Sequence, residues 1–192
     1  MEISTKLYVT NRSQWRAWLR QHHASAHEIW LVYYKKGSGK ARIPYDHAVE
    51  EALCYGWIDS TVKPIDEKCY AQRFSPRRAA SLLSELNKER VRGLVASGKM
   101  RRAGLEKIRH HLRAPRGRSA APGFRLYVYP PDIIREIRKS ADAWKVFSKF
   151  PVSYKRVRIG WIDAARLRPK AFRQRLRYFI RMTARNKRFG MI

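Results

Sequence analysis

The chain of 192 residues has few acidic side chains. Its 15 Asp and Glu residues stand against 43 Lys and Arg residues, which gives a formal net charge of +28 at pH 7. Acids are scarcest in Pro115–Ile192, where 4 of them accompany 21 basic residues. A field of this sign attracts phosphates, nucleic acids and anionic membrane surfaces, but it carries no information about the fold.

Cysteine is also scarce. Cys54 and Cys69 are the only two, which is too few for a disulfide framework and too few by themselves for a tetrahedral metal site. We therefore expect both to be buried thiols. The six histidines include no pair at the i, i+4 spacing with further ligands nearby, so the sequence predicts no zinc site and no cofactor.

Long apolar runs and a secretory leader are missing as well. No apolar run approaches the roughly 20 residues that a membrane-spanning helix needs. The first residues lack the hydrophobic segment of a signal peptide. We therefore expect a cytoplasmic protein with no transmembrane segment. An apolar content of 44% over 192 residues is enough to bury a core.

Strand and helix patterns alternate in the first part of the chain. The sequence predicts strands at 6–10, 28–35, 57–63 and 68–74, and helices at 11–21 and from Pro44 to Gly56. Asn11 and Ser13 are the candidate caps of the first helix. The order β-α-β-α-β-β is typical of a small α+β layer in which helices pack against one sheet.

The pattern becomes helical after Pro76. Leu82 through Val95 fit one helix that ends at Gly98, and 101–112 fit a second. A basic stretch rich in Pro and Gly follows. Helices are then expected after Pro131, after the caps Ser140 and Ser153, and over 170–187. The predicted organisation is an α+β domain at 1–112, a linker at 113–126 and a mostly helical unit at 127–192.

Two runs in and around the predicted strands at 57–63 and 68–74 carry a family resemblance. Cys54 is followed by Gly56-Trp-Ile-Asp59, and Gln72-Arg-Phe-Ser-Pro-Arg-Arg78 comes next. Together these runs resemble the hallmark of the YdeI/OmdA family, the bacteriocin-protection or OmpD-associated proteins. Further matching runs, in the order seen in that family, are Lys35–Lys40, Tyr45–Ala52, Asn87–Arg90, Gly98–Met100, Ser153–Arg156 and Gly160–Ile162. The resemblance implies a binding protein with a role in stress or bacteriocin tolerance.

The hallmark residues allow two interpretations. In the functional one they form a binding site for a small anionic ligand or an acidic peptide. The candidate residues are Lys35, Trp57, Asp59, Arg73, Arg77 and Arg78. In the structural one, Asp59 and Arg73 form an ordinary cross-strand charge pair. Two cations at the start of the next helix would oppose its macrodipole unless an anion lies nearby, which favours a ligand.

The last predicted helix indicates a second kind of binding. Its apolar stripe consists of Phe172, Leu176, Phe179, Ile180 and Thr183. Its basic residues Arg173, Arg177, Arg181 and Arg185 recur every four residues on another face, at steps of about 6 Å. Such like charges repel one another unless they are neutralised, and a phosphate backbone would neutralise them. The alternative is a solvated face in an Arg-rich protein.

The sequence therefore leaves three hypotheses open. The first is a non-enzymatic YdeI/OmdA-like protein that binds an anion. The second is a nucleic-acid-binding protein that contacts phosphates without reading sequence, since the RRM signature and zinc-finger spacing are missing. The third is an enzyme, although no catalytic constellation is recognisable. His47 and Glu51, one turn apart on a predicted helix, would form a general-base pair or an ordinary surface contact.

Overall fold

The computed structural model of the chain describes residues 2–78, 81–113, 123–124 and 127–190. Two compact units are present: the described residues of Met1–Ser81 and Val91–Gly123 form one, and those of Leu82–Arg90 and Phe124–Ile192 form the other. Most of the predicted linker at 113–126 lies outside the described residues. The domain limits at 112 and 126 stay a prediction.

A four-stranded sheet organises the first unit. Its strands are β1 (Lys6–Leu7), β2 (Ile29–Tyr34), β3 (Trp57–Pro64) and β4 (Cys69–Pro76), in the spatial order β1-β2-β4-β3. β1 runs parallel to β2, and the other neighbours are antiparallel. Helix α1 (Arg12–His22) joins β1 to β2, and helix α2 (Tyr45–Cys54) joins β2 to β3. The α+β class and the order β-α-β-α-β-β are thus confirmed.

The strand register decides which hallmark side chains share a face. Asp59 lies opposite Phe74, and Trp57 lies two residues before Asp59 on β3. These three side chains therefore project to the face that α1 covers. There the Phe74 ring meets Trp15 at a centroid distance of 5.5 Å. Arg73 is one residue away on β4, so its side chain projects to the opposite face.

Short-range contacts define the ends of the helices and strands that follow β4 and precede α5. α3 spans Glu85–Ala96, α4 spans Arg102–Ile108, a 3-10 turn covers Arg109–His111, and β5 and β6 are the two-residue strands Leu112–Arg113 and Gly123–Phe124. The expectation that Leu82 belongs to the α3 helix is wrong. The Asn87 N–H donates to the Ser84 hydroxyl at 3.2 Å, which fixes the helix start beyond Leu82. Leu82 is 89% exposed.

Among the described residues, the second unit contains the first part of α3 and four complete helices: α5 (Pro131–Arg138), α6 (Ala141–Lys149), α7 (Val152–Asp163) and α8 (Pro169–Ala184). The predicted helical character is confirmed. Pro131 occupies the first turn of α5, and the Ser140 hydroxyl accepts a hydrogen bond from the Ala143 N–H, both as expected. Ser153 is not a cap, because α7 begins one residue earlier at Val152, directly after Pro151. The core is formed by Ile133, Ile137, Ala143, Phe147, Phe150, Tyr154, Ile159, Ile162, Leu176 and Phe179.

The structure also bears on the predictions about the two cysteines and about membrane-spanning helices. Both cysteines are buried free thiols, as predicted, and burial raises the pKa of Cys54 to about 11. Within the described ranges, none of the helices combines the length and the apolar character that crossing a membrane requires.

Candidate binding sites

An open cleft of about 650 Å³ lies beside α8 in the second unit. It is lined by Trp161 of α7 and by Gln174, Arg175, Arg177, Tyr178 and Arg181 of α8. Four of the α8 residues, at positions 174, 177, 178 and 181, have the i, i+3, i+4, i+7 spacing of a single helix face. The opposite stripe of α8 is buried, with Phe179 inaccessible and Leu176 and Thr183 nearly so. The amphipathic pattern of this sequence thus orients the cationic face outward.

Arg175 connects the two helices that border this α8 cleft. Its guanidinium lies 4.7 Å from the centre of the Trp161 ring, and its Nη1 donates to the Trp161 carbonyl oxygen at 2.6 Å. Burial, and after it the charge of Arg168, lowers the pKa of Arg175. An anion placed nearby would favour the charged form of Arg175 and oppose this shift.

Phe189 supports the aromatic part of the α8 cleft. Its ring packs nearly perpendicular to Tyr178 at 4.8 Å and to Trp161 at 5.9 Å. The Arg181 guanidinium lies 5.5 Å from the centre of the Tyr178 ring. The cleft therefore presents partly exposed aromatic rings, held by their neighbours and bordered by arginines.

The four predicted ladder arginines are all exposed. Arg177 and Arg181 line the cleft, Arg173 lies one turn before them, and Arg185 follows the last residue of α8. Within the described residues, none of the four forms an ion pair with an acid. α8 itself contains no Asp or Glu.

Four acids of the second unit pair with basic residues outside the ladder. Asp132 and Asp163 both accept from Arg166, at 3.0 and 2.7 Å. Glu136 accepts from Lys139 at 2.7 Å, and Glu85 accepts from Lys88 at 2.5 Å. The cationic face of α8 consequently keeps its net positive charge.

A second cleft, of about 440 Å³, lies in the first unit and is lined by three hallmark residues, Gly56, Trp57 and Pro76. It is lined by His23, Ala24, Ala26, His27, Tyr55, Gly56, Trp57, Pro76, Ala103, Glu106 and Lys107. Trp57 itself is 1% exposed, and its indole N–H donates to the His23 carbonyl oxygen at 3.1 Å. This Trp57 cleft therefore has a fixed apolar floor.

Basic groups border the Trp57 cleft. The Nδ1 atom of His23 lies 2.9 Å from the Leu19 carbonyl oxygen, which leaves Nε2 for another partner. His27 is exposed. The Lys107 side chain packs over Gly56, where a Cβ atom would lie 2.6 Å from the Lys107 Cγ atom. Glu106 is engaged by Arg102 at 2.8 Å. Lys107 is the lining residue whose positive charge a small anion would meet here.

Asp59 and Arg73 do not form the cross-strand pair that the structural interpretation expected. They project to opposite faces of the sheet, and each side chain is hydrogen-bonded to a different residue. Asp59 accepts from the Tyr45 hydroxyl at 2.5 Å. Arg73 donates to the Glu28 carboxylate at 2.6 Å. Hydrogen bonds from Ser4 and then from Arg73 lower the pKa of Glu28 to about 2.

The other predicted anion-site residues do not line the Trp57 cleft, although the Arg77 N–H donates to the Gly56 carbonyl oxygen at 2.8 Å. Arg77 is 2% exposed, its Nη2 donates to the Ser81 carbonyl oxygen at 3.0 Å, and burial lowers its pKa. Arg78 is exposed. Lys35, which directly follows β2, is exposed as well. Arg77 and Arg78 are not at a helix start, because they follow β4 directly and α3 begins only at Glu85. Of the six predicted residues, Trp57 alone lines the cleft.

Glu51 is not in a surface contact with His47. The carboxylate is 1% exposed and accepts from the Arg12 Nη1 atom at 3.3 Å and from the Arg16 Nε atom at 2.7 Å. Glu51 therefore helps to join α1 to α2 and is a structural residue. In the part of the chain that the structure describes, no three His, Cys, Asp or Glu residues are grouped to hold a metal ion.

Some lining residues had no clear signal in the sequence. His23 and Lys107 join Trp57 only through long-range packing of α1 and α4. Trp161 belongs to the run Gly160-Trp-Ile-Asp163, which has the same four residues as Gly56-Trp-Ile-Asp59. This similarity gave no indication that Trp161 lines a cleft. The helical spacing of Arg177, Tyr178 and Arg181 was the sequence feature that indicated a shared face.

Two family models match different parts of the chain. The model described as "Domain of unknown function (DUF8412)" matches residues 7–107, which is more than half of the chain and includes both hallmark runs. The model described as "Bacteriocin-protection, YdeI or OmpD-Associated" matches residues 127–186. The predicted YdeI/OmdA relationship is thus confirmed, and the match lies in the C-terminal part. No curated protein and no solved structure matches the chain.

Proposed function

The chain belongs to the DUF8412 family, a domain of unknown function, and it continues into a YdeI/OmdA-type segment; from the chemistry of that segment we propose that it binds nucleic acid through phosphate contacts made by α8. One observation carries the proposal. Arg177 and Arg181 line an open aromatic cleft on a helix face that has no acidic counterpart among the described residues.

The energetics of α8 support this proposal. Arginines four residues apart on a helix repel one another, and each such pair costs a few tenths of a kcal/mol. Arg173, Arg177 and Arg181 therefore weaken α8 in the free protein. Phosphates would neutralise them and release the counterions condensed on the nucleic acid. Because arginine offers a planar fork of donors, it suits phosphate oxygens better than lysine does.

The proposal concerns affinity without sequence readout. Contacts to phosphates position a protein on nucleic acid but carry no direct information about base sequence. We therefore expect similar affinities for oligonucleotides of different sequence and a strong decrease of affinity with salt.

Replacing Arg173, Arg177, Arg181 and Arg185 by Gln tests the proposal. The variant should bind a random-sequence 20-mer, as DNA or as RNA, more weakly than the wild type. The slope of log K against log salt should become less steep by up to about 3.6 for a DNA duplex, at about 0.9 for each lost phosphate contact, and by up to about 2.8 for a single strand, at about 0.7 for each. Fluorescence anisotropy titrations between 50 and 300 mM salt, roughly spanning Debye lengths from above to below 10 Å, would measure both quantities.

A variant with the same loss of charge on the first unit is the matched control. Arg20, Lys36, Lys68 and Lys99 are exposed, and their replacement by Gln lowers the net charge by the same amount. The slope should then stay close to that of the wild type. Equal losses in both variants would mean that total charge, and not α8, attracts the oligonucleotide. Binding to phosphatidylserine vesicles without binding to either oligonucleotide would also overturn the proposal.

The Trp57 cleft favours a second candidate function, which is the binding of a small anionic ligand or an acidic peptide in the first unit. Lys107 and two histidines border it, and Trp57 and Gly56 form its floor. The ligand expected near the hallmark would thus be held by Lys107 and not by Arg73, which is engaged by Glu28. Ligand binding to the folded state alone raises the melting temperature.

A thermal-shift screen with inorganic phosphate, adenosine monophosphate and a short acidic peptide tests this second candidate. We expect at least one of them to raise Tm, and Lys107→Gln to remove that shift. Lys36→Gln, which removes an exposed lysine outside the cleft, should leave the shift intact. Identical shifts in both variants would exclude Lys107 as a ligand-binding residue.

The C-terminal family is described by bacteriocin protection, and this description supports a physiological part of the proposal. A nucleic-acid-binding or anion-binding protein of this kind would act in the cytoplasm, in stress or bacteriocin tolerance.

A further inference from the structure

Phosphate contacts do not account for the aromatic lining of the α8 cleft. A helix that bound only phosphates would need exposed cations. Here Trp161 and Tyr178 are also partly exposed beside Arg177 and Arg181. The volume of about 650 Å³ lies in the range of sites that hold small planar molecules.

The planar groups in this cleft form a surface suited to stacking. The Arg175 guanidinium lies over the Trp161 ring, and the Arg181 guanidinium lies near the Tyr178 ring. Nucleic-acid bases stack both on aromatic rings and on guanidinium planes. Gln174 adds an amide that can both donate and accept hydrogen bonds at a base edge.

We propose, on the basis of the proposed function, that the α8 cleft binds an unpaired base and that the protein therefore prefers single-stranded to double-stranded nucleic acid. The ladder arginines hold the phosphates of the strand. The neighbouring cleft then holds a base of that strand against Tyr178 and the arginine planes.

A duplex cannot make the second contact. Its bases are stacked on one another inside the helix, so no base face is available to Tyr178 unless the duplex is opened, which costs a few kcal/mol. The arginines remain able to contact duplex phosphates. The structure thus assigns the phosphate contacts to both nucleic-acid forms and the stacking contact to single strands alone.

An abasic oligonucleotide separates the two contacts without changing the protein. A 20-mer with normal deoxynucleotides and a 20-mer of abasic deoxyribose units carry the same phosphates. We expect anisotropy titrations at 150 mM salt to show that the wild type binds the normal single strand at least about tenfold more tightly than the abasic strand or a duplex of equal length. Equal affinities for all three probes would overturn the inference.

Tyr178→Leu is the corresponding protein variant. Leucine can still pack against Phe189 but offers no aromatic face. Its affinity for the normal single strand should fall about tenfold, and its affinity for the abasic strand and the duplex should not change. Trp144→Leu is the matched control, because Trp144 also lies under an arginine, Arg138 at 4.6 Å, but does not line the cleft. Circular dichroism of both variants would show whether α8 remains folded.

The result distinguishes this inference from the proposed function. If all probes bind equally and the fourfold Arg-to-Gln variant still loses affinity for each, phosphate binding stands and base stacking is wrong. If no probe binds with the expected salt dependence, the proposed function fails and the inference fails with it. Loss of single-strand preference in Trp144→Leu but not in Tyr178→Leu would place the base outside the α8 cleft.

Discussion

Gly104→Ala is expected to destabilise the first unit by about 2 to 3 kcal/mol, because added volume at a closely packed contact is costly. A Cβ atom at this position would lie 2.5 Å from the carbonyl oxygens of Leu53 and Cys54. These are backbone atoms at the end of α2, so they cannot rotate away. The better helix propensity of alanine, about 1 kcal/mol, offsets only part of that cost. Urea unfolding followed by tryptophan fluorescence measures the change.

Gly93→Ala is the matched control for this change. Gly93 also lies inside a helix, α3, but a Cβ atom there would meet no other atom within 4 Å. The substitution should stabilise the protein by up to about 1 kcal/mol. If Gly104→Ala and Gly93→Ala both shift the urea midpoint upward, then α4 does not approach the end of α2 as closely as the structure has it.

The close packing of α4 on the end of α2 at Gly104 also affects the Trp57 cleft. α4 carries Lys107, which packs on Gly56, and Gly56 has a φ of +75° that favours glycine. A shift of α4 would move Lys107 away from this position. Gly104→Ala should therefore also reduce any ligand-induced increase in Tm that depends on Lys107.

Glu51→Gln is expected to lower the free energy of unfolding by about 2 to 3 kcal/mol. The carboxylate is buried and accepts from Arg12 and Arg16. Its hydrogen bond raises the pKa of Arg16. The amide of glutamine would offer one acceptor and one donor group to two cationic donors, so one arginine would lose its partner. Breaking a buried ion pair costs several kcal/mol, and the partial exposure of both arginines reduces that cost here.

Glu50→Gln is the control for Glu51→Gln. Glu50 also contacts Arg12, at 2.5 Å, but its side chain is 27% exposed. Loss of that contact should cost less than about 1 kcal/mol and should disappear at 1 M salt, where screening is strong. The Glu51→Gln effect should persist at 1 M salt, since a buried pair is screened less. Equal effects of the two substitutions would contradict the buried role of Glu51.

Local chemistry made much of the fold predictable. The continuous apolar and aromatic run of β2, the amphipathic pattern of α8 and the caps Asn11 and Ser140 each depend on residues a few positions apart. Such patterns need no knowledge of the rest of the chain. The start of α7 was misplaced by two residues, because the N-cap is Pro151 and not Ser153, and the helix begins at Val152.

The hallmark site was less predictable because its residues are joined by register. A shift of one residue in strand pairing moves a side chain to the other face of a sheet. The pairing of Asp59 with Phe74 places Asp59 and Arg73 on opposite faces, although both belong to the same hallmark. Glu51 was misinterpreted for a related reason: helical spacing shows which residues share a face but not whether that face is buried.

The sequence by itself determined the charge of this protein, its α+β class, its helical C-terminal part and the row of arginines on α8, since composition and short periodic patterns specify these features. Tertiary structure alone decided which side chains meet. It joined Lys107 and His23 to Trp57, and it placed Trp161 of α7 beside Tyr178 of α8. The physical reason is that a cleft forms where distant segments pack together, and packing depends on the shape and burial of the whole core.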